Sequence, residues 1–249
     1  MDIEKYLERI DYSGSLDPST QTVRALHRAH MLSVPFENLD IHLGRQIVLD
    51  EQAFFSKIVG ARRGGFCYEL NGLFHGLLRR LGFDVQRLSA GVARADGSFG
   101  PDFDHMTLMV RLEDLWLADV GFGDSFLEPI SLNDAVVSTD PTGAYRVDAQ
   151  GDSRVMLKQS GDGQWEPQYR FTLRSRELPE YQQMCTYHQT SPESSFTRKR
   201  VCSLATETGR ITLSELDLIT TEAGRREERT MADEDEYRGA LATYFGIVL

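Results

Sequence analysis

Arg63-Gly64-Gly65-Phe66-Cys67-Tyr68-Glu69-Leu70-Asn71 is the stretch on which the reading of this chain turns. It sets a cysteine between a Gly-Gly turn and an apolar run in which Leu70, Leu73, Phe74, Leu77, Leu78 and Leu81 recur at three- and four-residue spacing. That period predicts an amphipathic helix, and Gly82 supplies its stop. Cys67 therefore falls at or near a helix N-terminus, where unpaired backbone N–H groups and the positive dipole end favour the thiolate. The thiolate is the nucleophilic form. A lone cysteine is more often a small buried hydrophobe, so this one needs partners before it implies chemistry.

Two further segments supply candidates. His105 opens His105-Met106-Thr107-Leu108-Met109-Val110-Arg111-Leu112, which alternates like a strand. Asp119 lies in Leu115-Trp116-Leu117-Ala118-Asp119-Val120-Gly121-Phe122-Gly123, a short apolar run closed by glycines. An aspartate there is costly to bury without a partner. A histidine suits it: the carboxylate accepts one ring N–H and fixes the tautomer, leaving the other nitrogen to take a thiol proton. Taken singly, a core histidine and a strand-end aspartate are the more ordinary readings. The order is cysteine, histidine, aspartate, with the last two on neighbouring strand-like segments.

At this point the sequence resembles the arylamine N-acetyltransferase family. Arg-Gly-Gly-Phe-Cys-Tyr-Glu-Leu-Asn (63–71) is similar to that family's active-site signature, and Asp119-Val120-Gly121-Phe122-Gly123 to its aspartate motif. Val34-Pro35-Phe36-Glu37-Asn38-Leu39, Thr190-Ser191-Pro192-Glu193-Ser194-Ser195-Phe196 and Tyr244-Phe245-Gly246-Ile247 resemble its other landmarks. The matches run from about residue 30 to the end. The resemblance implies a papain-like thiol-enzyme arrangement with an N-terminal helical bundle, a central antiparallel β-barrel and a C-terminal α/β lid. It implies Cys67 as nucleophile, His105 as base and Asp119 as its partner. Acetyl-CoA is then the donor substrate, with no permanently bound cofactor, and small aromatic amines or hydrazines are the acceptors. It also places Phe36, Phe122 and Phe196 around the acceptor. Tyr68, Asp124 and Phe126 are further candidates for shaping that pocket. Thr107 and the Gly97–Pro101 loop are candidates for touching CoA.

Two alternatives stand beside this. An amide synthase of the same family would keep the triad and act on a natural-product acyl chain. A non-catalytic binding module would keep the fold and be expected to lose a triad member. A transglutaminase-like or peptidase-like enzyme could share the Cys-His-Asp order. It gives no reason for the Pro35-Phe36-Glu37-Asn38 element or the Tyr244-Phe245-Gly246 terminus.

The rest of the chain bounds the answer. With 249 residues it can bury a sizeable core. A net charge of −11 disfavours nucleic-acid binding. Arg62-Arg63 and Arg198-Lys199-Arg200 are the basic clusters that could face phosphates. The three cysteines, 67, 185 and 202, form no paired framework, which fits a reducing cytoplasm. Cys185 and His188 lack further clustered ligands, so no metal site is expected. No stretch approaches the ~18 uninterrupted apolar residues of a membrane span, and Met1-Asp2-Ile3-Glu4-Lys5 lacks a signal-peptide core. The oligomeric state is not legible.

Periodicity alone gives an α+β chain in three parts. Residues 1–82 read as helical and carry the cysteine. Helices are expected around Ile3–Ile10, after Asp17-Pro18 and after Asp50, where Ala53, Phe54, Ile58 and Val59 should face inward. Residues 83–177 read as strands: Val85–Val92, Met106–Leu112, Trp116–Val120, Arg154–Lys158 and Tyr169–Leu173. Residues 178–249 mix a helix from Pro179, a hairpin around Glu207-Thr208-Gly209 and a last helix with an acidic first turn at 232–236.

Overall fold

The first eighty residues are helical where the apolar period runs and break where capping side chains fall. This is a computed structural model describing all 249 residues. α1 (Ile3–Arg9) begins on Asp2, whose carboxylate accepts from Lys5 N–H. α2 (Thr20–Ser33) begins on Ser19, not on the Asp17-Pro18 pair. Ser19 Oγ accepts from Thr22 N–H at 3.1 Å, whereas Asp17 is held by Ser15. A two-residue strand β1 (Phe36–Glu37) and a one-turn helix α3 (Leu39–His42) follow Pro35. α4 (Glu51–Phe55) is capped by Asp50 and runs into a π-helical turn, Ser56–Gly60. Phe54 and Ile58 are buried as expected, but Ala53 is exposed.

α5 (Cys67–Arg80) is the cysteine helix. Leu70, Leu73, Phe74, Leu77 and Leu78 are wholly buried, and with Tyr6, Leu26 and Phe54 they make the largest core. Each such side chain contributes roughly 1.5–3 kcal/mol by leaving water. Gly82 ends the helix with φ +88°, a conformation in which a Cβ is strained.

The middle of the chain is one antiparallel sheet. Its strands are β2 (Asp84–Val92), β3 (His105–Arg111), β4 (Leu115–Ala118), β5 (Ile130–Ser131), β6 (Ser138–Asp140), β7 (Gly143–Gln150), β8 (Ser153–Gln159) and β9 (Trp165–Arg176). They run in the order β5-β4-β3-β2-β9-β8-β7-β6 and curl into a nearly closed barrel. Leu88, Met109, Leu117, Phe126, Tyr145, Met156 and Tyr169 pack together in its core. β3 is covered on both faces, so His105 through Val110 are buried without interruption. Leu108 and Val110 join the helical core while Met109 joins the barrel core. α5 packs on β2 and β3, which brings the cysteine to the histidine strand.

The last part enters through a 3₁₀ turn, Leu178–Tyr181, into α6 (Gln182–Thr190) and α7 (Ser195–Arg198). A meander follows: β10 (Val201–Thr206), β11 (Gly209–Ser214), β12 (Asp217–Glu222) and β13 (Arg225–Thr230). α8 (Glu234–Phe245) closes it, with Asp233 accepting from Asp235 and Glu236 N–H. β1 pairs antiparallel with β10, Phe36 opposite Ser203 and Glu37 opposite Cys202. The C-terminal sheet thus takes a strand from the N-terminal part. No helix is long and apolar enough to cross a membrane.

Candidate active site

Close backbone packing delivers Cys67. Glu37 N–H donates to Gly65 O (2.8 Å) and Gly65 N–H to Pro35 O (3.3 Å). A Cβ on Gly64 would sit 2.0 Å from Pro35 O, so only glycine fits there. Beneath this turn lies a buried ionic network. Arg63 meets Glu37 at 2.7 Å and Asp40 at 3.2 Å, and Lys57 meets Asp40 and Glu69 at 2.9 Å each. Glu69 also accepts from Phe66 N–H at 3.1 Å, tying down the start of α5. Burial pushes Glu69 up to about 7 against the pull of Lys57. Arg63 is therefore committed to holding the cysteine turn and is not free for phosphate.

Cys67 is the first residue of α5 and 3% exposed. Burial pushes its thiol well above the ordinary value. The Met106 backbone N–H opposes this and the charge of Asp119 adds to it. The helix terminus alone was expected to favour the thiolate. Removal from water and the helix terminus thus act on this thiol in opposite senses.

His105, the first residue of β3, sets Nε2 2.7 Å from Asp119 Oδ2. Asp119 follows β4, the antiparallel neighbour of β3. With Nε2–H donated to the carboxylate, Nδ1 is left to accept a proton. Asp119 is wholly buried, and its other oxygen accepts from Asn71 Nδ2 (2.9 Å) and Gly121 N–H (3.0 Å). Burial by itself would raise this carboxyl; His105, Asn71 and Gly121 together outweigh it and hold it below the ordinary value.

Asn71 and His27 complete the frame, and neither was foreseen as a site residue. Asn71 Nδ2 also donates to Met106 O (2.6 Å), and its Oδ1 accepts from Val120 N–H (3.0 Å). One amide thereby joins the cysteine helix to both the histidine and aspartate strands. Its signal was present: Asn71 lies four residues after Cys67, on the same helix face. His27 Nε2 accepts from Asp119 N–H (3.0 Å), and its Nδ1–H donates to Leu127 O (2.8 Å). Burial lowers His27 to about 4, so it stays neutral. Only glycine fits at 121, since a Cβ would lie 2.9 Å from Cys67 Cα and 2.7 Å from Asn71 Nδ2.

Cys67 and His105 open into a cavity of about 710 Å³. Phe36, Phe122 and Phe196 all line it, from three separate parts of the chain. Phe122 meets the His105 ring edge-on, with centroids 5.2 Å apart. The lid contributes Met184, Tyr187, His188, Glu193 and Arg198; Val92, Ala93, Arg94 and Pro101 come from the end of β2 and the loop after it. His188, also unforeseen, places Nε2 3.3 Å from Asp104 Oδ1 and 3.1 Å from Asp104 O.

Several expected positions lie elsewhere. Tyr68 is wholly buried behind the cysteine, its hydroxyl donating to Phe103 O at 2.6 Å. It packs behind the site and does not line the cavity that holds Cys67. Thr107 is wholly buried, with Oγ1 donating to Ala118 O, so no CoA atom reaches it. Gly97 is exposed in a turn at φ +82° and does not line the cavity; Arg94 and Pro101 of the same loop do. Phe126 is barrel core stacked on His27. Asp124 points outward to Lys158 and Arg210. Cys185 accepts from Gln189 Nε2, and His188 is taken by Asp104.

A family model described as N-acetyltransferase matches residues 19–249. An arylamine N-acetyltransferase from Escherichia coli (strain K12) is 36% identical, covering 98% of this chain and 88% of its own. The chain belongs to the arylamine N-acetyltransferase family. It is an acyltransferase with that family's fold: the structure of Mycobacterium marinum arylamine N-acetyltransferase in complex with CoA superposes with a TM-score of 0.93 at 31% identity. That likeness covers 99% of this chain and 93% of the other. Proansamycin X synthase from Amycolatopsis mediterranei (strain S699) is 30% identical, covering 97% of this chain and 95% of its own.

Proposed function

We propose that this protein transfers an acetyl group from acetyl-CoA to the nitrogen of an arylamine or arylhydrazine through an acetyl-cysteine intermediate. The supporting observation is that Cys67, His105 and three phenylalanines line one cavity, with Asp119 bonded to His105 from behind the wall. His105 Nδ1 takes the Cys67 proton, and Sγ attacks the acetyl carbonyl carbon. The bond from that carbon to the CoA sulfur breaks, and His105 returns the proton to the leaving thiol. The two thioesters are nearly equal in energy, so a cysteine suits this exchange better than a serine. After CoA departs, the amine nitrogen attacks the acetyl-cysteine. Its proton passes to His105, the carbon–Sγ bond breaks, and Cys67 recovers its proton. Asp119 fixes the tautomer throughout and stabilises the imidazolium that forms. Two-step, ping-pong kinetics follows.

An aromatic amine suits both the walls and the chemistry. Its ring packs against phenylalanine, and its nitrogen is unprotonated at neutral pH. The test is intact-protein mass spectrometry after incubation with acetyl-CoA and no acceptor. One added acetyl group is expected, absent in Cys67→Ala and discharged by an arylamine. No adduct, with the fold intact and Cys67 reduced, would overturn the acetyl-CoA reading. The second reading, an amide synthase acting on a natural-product acyl chain, is favoured by the proansamycin X synthase relative. It predicts that an acyl thioester of such a chain loads Cys67 while acetyl-CoA does not.

A further inference from the structure

We infer that Arg94 and Arg198 form a phosphate clamp on the catalytic cavity that selects a polyphosphorylated thioester donor over a bare one. This rests on the proposed function and adds to it which residues take the charged end of the donor. The problem it answers is electrostatic: a chain of net charge −11 must bind a substrate carrying several negative charges. Only local cations can do this, and they must be free.

The structure sorts the chain's basic clusters. Arg63 is spent on Glu37 and Asp40. Arg62 opens on a different cleft, beside Lys5 and Arg9. Arg200 is paired with Glu215 and Glu234. Lys199 does not line the cavity, and Arg94 and Arg198 remain. Both line the cavity that holds Cys67 and His105, both are exposed, and neither guanidinium has a salt bridge or side-chain hydrogen bond. Arg94 begins the turn after β2, where Gly97 N–H donates to its carbonyl (3.0 Å). Arg198 ends α7, two residues after the cavity-lining Phe196. The two cations thus come from the barrel and from the lid.

Of the nearby carboxylates none makes a salt bridge to either arginine, although Asp96 feels the charge of Arg94. Asp96, on the Arg94 turn, accepts from Ser98 N–H and Oγ. Asp104 is taken by Val92 N–H and His188. Glu193 also lines the cavity and has no cationic partner. A free guanidinium presents a planar fork of donors that matches phosphate oxygens. The acetyl end must reach Cys67, so the phosphates at the far end of the donor's arm lie toward the exposed part of the wall, where both arginines stand.

The test is calorimetric binding of CoA and of pantetheine, its phosphate-free arm, to the wild type and to the Arg94→Gln/Arg198→Gln variant. Both positions are exposed, so folding should survive; circular dichroism checks it. The wild type should bind CoA more tightly than pantetheine. The double variant should lose about tenfold or more in CoA affinity, the scale of one or two charge-assisted contacts. Pantetheine affinity should be unchanged, and the salt dependence of CoA binding should flatten. Equal loss for both ligands, or no loss for CoA, would overturn the clamp. Failure of the functional reading looks different: CoA binds, the arginines matter, and acetyl-CoA leaves no acetyl group on Cys67.

Discussion

Two imidazoles on the wall of one cavity, His105 and His188, each meet a carboxylate, and the two pairs are built to different standards. His105–Asp119 spans 2.7 Å with side-chain exposures of 3% and 0%. His188–Asp104 spans 3.3 Å with 8% and 17%. Asp119 has both oxygens satisfied and a neutral histidine under its own N–H. Asp104 shares its carboxylate with Val92 N–H, and its carbonyl with Tyr68 and His188. The first pair sits where barrel strands and the cysteine helix are stitched together. The second ties lid helix α6 to the loop before β3. A dry, fully bonded pair can hold one tautomer through a proton-transfer cycle. A looser pair across a lid junction is suited to positioning. If that contrast is right, changes at the first pair act on the chemical step and changes at the second on binding.

The largest effect should come from Asp119→Asn. It keeps the shape but removes the charge and inverts the hydrogen-bond polarity toward His105. A loss of about 10³–10⁴-fold in kcat is expected, as for other nucleophile–histidine–carboxylate sites. Acceptor-dependent turnover measures it; a variant with near-normal kcat would break the comparison at its stronger end.

Asn71→Ala comes next. It removes the amide's bonds to Met106 O and Val120 N–H and leaves Asp119 Oδ1 with Gly121 N–H alone. Each orphaned group costs about 1–3 kcal/mol. A drop of several degrees in Tm is expected, together with about a hundredfold loss in kcat from a misplaced Asp119. Calorimetry and turnover on the same preparation separate the two. A stability loss without a kcat loss would show that Asn71 holds the fold but not the pair.

The contrast also explains what could be read before the structure. Cys67, His105 and Asp119 stand out because each sits at a recognisable place in a periodic run, and the run fixes its element. Phe36, Phe122 and Phe196 were reachable only through resemblance to a family, since phenylalanine in a short motif is usually core. Tyr68 lies elsewhere because helix twist turns it away from its neighbour Cys67; Thr107 shares the face of His105 but sits one step deeper, against Ala118 O and Tyr169. Both are buried. β12 and β13 escaped notice because Arg225–Thr230 is exposed along its whole length and carries no alternation. Their pairing is set by register along the meander, β12 on β11 and β13 on β12, not by an apolar face. His188–Asp104 and Arg94 with Arg198 were illegible because such pairings depend on how the lid meets the barrel.

The frame behind the first pair should reveal itself in acid. His27 has a folded value of about 4, below its ordinary 6.5, so between those pH values the unfolded chain binds the extra proton. Its contribution to stability is complete above pH 6.5 and is lost as pH falls toward 4, at about 1.4 kcal/mol per unit for one proton. His30 and His75 are lowered by burial in the same sense. Urea unfolding from pH 7 to 5 should therefore show stability falling with acid. His27→Gln, whose side-chain oxygen can still accept from Asp119 N–H, should remove about one proton from the slope. An unchanged slope would mean that His27 is not held neutral in the fold.

The smallest effect should be at His188, and it is the sharpest test of the contrast. His188→Leu removes the bond to Asp104 but keeps an apolar side chain against Phe196, which meets the His188 ring edge-on at 5.2 Å. The barrel side of Asp104 stays anchored through Val92 N–H and Tyr68. His105 and Asp119 lose nothing, so kcat should stay within about threefold, the scale of a partly exposed polar contact. The change should fall on KM, because α6 and α7 carry the cavity wall that includes Phe196 and Arg198. A loss in kcat approaching that of Asp119→Asn would place His188 in the chemical step. The two pairs would then be equals, and their different burial would teach nothing about their roles.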